Sequence, residues 1–88
     1  MIQFTHKPRI SETLVVINHE ARVNNNALAA KFTHLTPVAR GWKVAQGPAK
    51  DRQTFSTIEE AVAVLSAQWE AHILSIPRYA RLNEEVAA

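Results

Sequence analysis

Four histidines, His6, His19, His34 and His72, are the side chains of this 88-residue chain best suited to chemistry near neutral pH. A metal site built from them would want an i,i+4 pair on a helix or a His-x-His pair on a strand. Neither spacing occurs, and no Asp lies near any of them. They read as structural or surface residues, with no metal expected. Paired carboxylates occur as Glu59-Glu60 and Glu84-Glu85, and adjacent residues on a helix do not face each other. Ser11, Ser56, Ser66 and Ser75 lack the context of a nucleophile elbow. Two glycines are too few for a phosphate-cradling loop. The chain is therefore expected not to be an enzyme and to need no cofactor.

Binding chemistry is better represented. Eight of the ten cations fall in residues 1–55 against three acids, whereas residues 56–88 hold two Arg against five Glu. That asymmetry gives a basic front half, suited to an anionic partner, and an acidic back. Arg40, Lys43, Lys50 and Arg52 form the densest basic set and are the candidates for phosphate contacts. Phe4, Phe32 and Trp42 are the aromatics that a base-stacking sheet would use. A second set, Arg78, Tyr79, Arg81 and Leu82, pairs aromatic and apolar anchors with guanidinium groups, a composition typical of protein interfaces.

The elements that must position these groups follow from periodicity. Ile2 to His6 alternates and can be a short strand, restricted to a sheet edge by Pro8. Glu12 to Val23 is rich in Thr, Val and Ile and reads as a strand, with Val15, Ile17, Ala21 and Val23 on one face. Asn24-Asn25-Asn26 marks a turn, since Asn tolerates positive φ. Ala27 to Leu35 resumes the alternation, with Leu28, Ala30 and Phe32 predicted inward. Thr36-Pro37 should break it. Gly41 to Gln46 is the next strand and Gly47-Pro48 its end. From Ser56 onward the period changes. Ile58, Val62, Leu65, Trp69, Ile73 and Ile76 are spaced as one helical face, and Ser56 and Thr57 each have a Glu three residues on to complete a capping box. The outer face, with Glu59, Glu60 and Glu70, reads as solvated acid. Pro77 ends this helix and can open a second, with Tyr79 and Leu82 on its apolar side and Ser75 as its cap.

A second pattern competes for the middle of the chain. Residues 28–47, LAAKFTHLTPVARGWKVAQG, resemble a helix-turn-helix unit, with Ala29 as the small packing residue, Thr36-Pro37 opening the second helix and Trp42 as its anchor. The resemblance implies a small all-α domain that binds DNA. Thr33 stands where such units carry Gly, and Gly41 would fall inside the second helix at a cost of about 1 kcal/mol.

The expected architecture is a single α+β domain over 1–88. Its two layers are a three- or four-stranded antiparallel sheet and one long helix over about 57–74, with a short C-terminal helix. One helix covers one sheet face, which leaves the other for solvent, a partner or a second copy. A chain this short buries about 60% of its unfolded surface, so a stability near ~5 kcal/mol is expected. The absence of cysteine excludes disulfides and thiolate zinc sites and fits a reducing compartment, so a cytoplasmic location is expected. No apolar run approaches the ~20 residues a membrane span needs. The expected function is non-enzymatic binding of a macromolecule, first another protein and alternatively nucleic acid through residues 40–52, with homodimerisation a further option. In size and plainness the chain is similar to small accessory proteins of phages and mobile elements, including anti-CRISPR inhibitors, a likeness that no residue motif carries.

Overall fold

Asn24 and Asn25 both take positive φ, 50° and 67°. That combination makes a two-residue type I′ hairpin, whose twist matches that of the strands it joins. It connects β2 (Val15–Val23) to β3 (Asn26–Val38). Around this hairpin lies a five-stranded antiparallel sheet in the order β1-β2-β3-β4-β5, with β1 (Gln3–Ile10), β4 (Gly41–Val44) and β5 (Thr54–Phe55). Two helices follow, α1 (Ile58–Leu74) and α2 (Pro77–Ala87). The computed structural model describes residues 1–45 and 53–87. The molecule is α+β, with an antiparallel sheet, one 17-residue helix and a shorter C-terminal helix. The fifth strand, two residues long, lay beyond the reach of pattern reading.

The all-α alternative does not hold, because residues 28–44 lie in β3, a two-residue turn and β4. The β-forming Phe32, Thr33 and Thr36 outweigh the alanines once β2 offers a partner to the first two and β4 to the third. Nor does Pro37 end the strand. Leu35 is the last β3 residue paired with β2, through Val15, so Pro37 lies beyond β2 and has no ladder there to donate to. β3 continues to Val38, and β4 returns through Ala39-Arg40. Gly41 opens β4 at φ 150°, against the backbone of β5, where an added Cβ would overlap the Phe55 carbonyl.

Two apolar clusters hold α1 and α2 to one sheet face. Val15, Ile17, Leu35, Val44, Phe55 and Ala61 form the first, and Ile2, Ala21, Val23, Trp69 and Ile73 the second. Burial of each large aliphatic side chain contributes about 1.5–3 kcal/mol. Thr57 caps α1, its Oγ1 accepting from the Glu60 N–H at 3.1 Å, and Ser56 Oγ donates to the Glu60 carboxylate at 2.8 Å. The two rival caps thus act together. Ser75 closes α1 instead of opening α2: its N–H and hydroxyl both return to α1 carbonyls. α2 is tied to the other end of the chain by the Ile2 N–H, which donates to Asn83 Oδ1 at 2.8 Å.

Candidate functional site

The covered face of the sheet is apolar except for His6, His19 and Thr33 on two adjoining rows, with the exposed Lys31 beside them on β3. His6 of β1 and His19 of β2 are cross-strand partners, and their Nδ1 atoms lie 2.8 Å apart. On one side His6 Nε2 lies 2.8 Å from Glu70 Oε2 of α1. On the other, His19 Nε2 lies 2.9 Å from Thr33 Oγ1 of β3. Four side chains from four elements therefore form one continuous hydrogen-bonded chain. His19 is 1% exposed and Thr33 is buried. Aromatic rings close around it: Trp69 stacks on His19 and meets His6 edge-on, and Phe4 stacks on His6.

Chemistry fixes the direction of this chain. A carboxylate only accepts, so a neutral His6 donates from Nε2 and must accept at Nδ1. His19 then donates from Nδ1 and accepts at Nε2 from the Thr33 hydroxyl. All three bonds point toward Glu70. Burial, then His6, then Lys31 lower the His19 pKa from 6.5 to about 4, which keeps this ring neutral at pH 7. Among the described residues, no group of three or more His, Cys, Asp or Glu is arranged to hold a metal ion.

The opposite face is uncovered. There the cross-strand rows run Lys7–Asn18–Phe32 and Arg9–Val16–His34, with Thr36–Lys43 toward β4 and Arg22 toward the Asn hairpin. Phe32 is 56% exposed at its middle. Val16 and Phe32 are diagonal neighbours on β2 and β3, and Val38 lies on the same face six residues beyond Phe32, past His34 and Thr36. Lys7 and Arg9 flank this group on the β1 side and Lys43 on the β4 side. The neighbouring row Thr5–Glu20–Ala30 brings a carboxylate to this face, and Arg22 holds it at 2.8 Å.

This corrects the expected faces of β3. From Ala29 on, the odd-numbered residues point to the core, so Thr33 and Leu35 are buried while Ala30 and Phe32 are exposed. The inward reading of Phe32 assumed that an apolar residue marks the core. A ladder irregularity at Ala21/Arg22 resets the register beside Leu28, and Thr33 enters the core because His19 satisfies its hydroxyl. Glu70 is likewise no free acid, since it is the terminal acceptor of the buried chain.

Of the basic set, Arg40 lies exposed in the β3–β4 turn and Lys43 on the open face; Lys50 and Arg52 lie outside the described residues. Tyr79 and Leu82 are half-buried against the second cluster, and Arg78 and Arg81 are exposed. The Arg78 guanidinium lies over the Tyr79 ring at 4.7 Å and donates to its hydroxyl, which in turn donates to the Leu28 carbonyl at 3.4 Å. That segment is engaged with its own fold.

Sequence reading missed the His6–His19 pair. The available signal was parity: His19 falls among Val15, Ile17, Ala21 and Val23, and His6 alternates with Ile2 and Phe4. Comparison with family models, with curated proteins and with solved structures finds no match. No helix among the described residues is long and apolar enough to cross a membrane.

Proposed function

We propose that this chain acts without catalysis, as a binding protein whose open sheet face docks on an acidic surface of another protein. The observation that carries this reading is the exposed Phe32 with its diagonal neighbour Val16, set between Lys7 and Arg9 on one side and Lys43 on the other. An aromatic anchor inside a charged rim is the usual anatomy of a protein interface. The cations would steer an acidic partner and fix its register, while burial of Phe32 supplies affinity. A second copy is a poor occupant, because the same cations would meet across a two-fold axis. Nucleic acid is less well served, since one exposed aromatic offers little base stacking. A reducing compartment such as the cytosol suits a chain without cysteine.

The test places a photo-reactive phenylalanine analogue at position 32 and irradiates it in a lysate of the source cells. The expected product is a protein adduct that disappears in Lys7→Glu/Arg9→Glu and at high salt. Adducts only with nucleic acid, only with a second copy, or insensitive to charge reversal would overturn the reading. In a parallel titration, labelled single-stranded and duplex DNA should show no binding at low salt. Tight binding with a steep salt slope would replace the protein partner with a nucleic acid.

A further inference from the structure

We propose that Glu70, His6, His19 and Thr33 form a one-proton switch that seats α1 on the edge strand β1. The chain takes up one proton by reversing its hydrogen bonds, and it breaks when forced to take a second. In the neutral state the donors run from Thr33 through His19 and His6 to Glu70. When one proton is gained, the proton between the rings passes from His19 Nδ1 to His6 Nδ1, and the new proton sits on His19 Nε2. His6 is then an imidazolium paired with the Glu70 carboxylate, 2.8 Å away. It donates from Nδ1 to His19, and His19 donates from Nε2 to Thr33 Oγ1. The Thr33 hydroxyl rotates from donor to acceptor, so all three hydrogen bonds of the chain are kept in both states.

A second proton has no such solution. Both Nδ1 atoms, 2.8 Å apart, would carry hydrogens and no lone pair would lie between them. Two cations would also share a site walled by Trp69 and Phe4. Those rings hold the imidazoles in place, so the rings separate only if α1 or β1 moves. The charges facing the chain make the same distinction. Glu70 comes from α1 and favours the first proton. Lys31 of β3, the cross-strand partner of His19, opposes the second. β1 and β2 contribute only the two imidazoles, and α2 packs on the second cluster with Arg78 and Arg81 exposed. The depressed pKa of His19 agrees with this order.

Long-range proton–nitrogen NMR on the full chain reads each ring's tautomer directly. At neutral pH, His6 should carry its proton on Nε2 and His19 on Nδ1. On acidification a single imidazolium should form, at His6, while His19 switches to Nε2–H. Charging of His19 should coincide with loss of contacts between Trp69 and β1. In Glu70→Gln, which keeps an acceptor but removes the charge, the tautomer switch should move about one pH unit lower. If that variant does not fold, Thr33→Val gives the same check. It leaves the Glu70–His6 pair intact and takes the partner from His19 Nε2 in both states; a stranded buried N–H costs more than a stranded lone pair, so the switch again moves to lower pH, by a smaller amount. An Nε2–H tautomer of His19 at neutral pH would overturn the proposal, as would independent protonation of the two rings with Trp69 undisturbed. So would a switch that neither variant moves.

Discussion

The two faces of the sheet break the rule of alternation in opposite ways. On the covered face the exceptions are polar: His6, His19 and Thr33 sit among Val15, Ile17 and Leu35. On the open face the exceptions are apolar: Val16, Phe32 and Val38 sit among Lys7, Arg9, Asn18 and Lys43. The polar exceptions are partnered by one another and by Glu70, as a buried polar group must be if it is not to cost several kcal/mol. The apolar exceptions find no partner among the described residues of this chain. The contrast separates residues kept for the fold from residues left over for an encounter, and substitutions on the two faces test it.

The largest effects belong to the covered face. Ile17→Ala removes a side chain with no exposure and should cost about 3 kcal/mol, read as a lower urea midpoint. Gly41→Ala should cost about 2 kcal/mol or more, since it forces a Cβ against the Phe55 carbonyl at a φ few L-residues adopt. Next comes pH. An unfolded chain protonates His19 near pH 6.5, whereas the folded chain resists until about pH 4. Stability from this residue is therefore full at pH 7, falls as the pH drops from 6.5 to 4, and is flat below. The fall is roughly 3 kcal/mol. Urea midpoints across that range should show this slope in the wild type and lose it in His19→Gln. Smaller again is Thr33→Val, expected to cost about 1 kcal/mol by leaving His19 Nε2 without its donor. The smallest change in stability, within about 0.5 kcal/mol, is expected for Phe32→Ala on the open face.

How much of this could be read from residue order differs by element. The helix was legible because Ile58, Val62, Leu65, Trp69 and Ile73 repeat at helical spacing and Thr57 with Glu60 carries the capping-box spacing, both local signals. The β2–β3 turn was legible because few residues besides Asn and Gly tolerate two successive positive φ angles. The faces of β3 were not. Their assignment depends on a register irregularity at Ala21/Arg22 and on whether Thr33 finds a partner, and both are settled by β2 rather than by β3 itself. The His6–His19 pair spans 13 residues and its link to Glu70 spans 64, so no local window contains it. β5 escaped notice because two residues carry no period, and Phe55 becomes a core residue only through the approach of β4 and α1.

One variant tests the division of labour between the faces most directly: Lys7→Glu/Arg9→Glu/Phe32→Ala, followed by both its urea midpoint and its capture of the partner trapped at the open face. The captured partner should be lost while the midpoint stays within about 0.5 kcal/mol of wild type. A variant that unfolds early yet still holds the partner would contradict the assignment of the open face to binding.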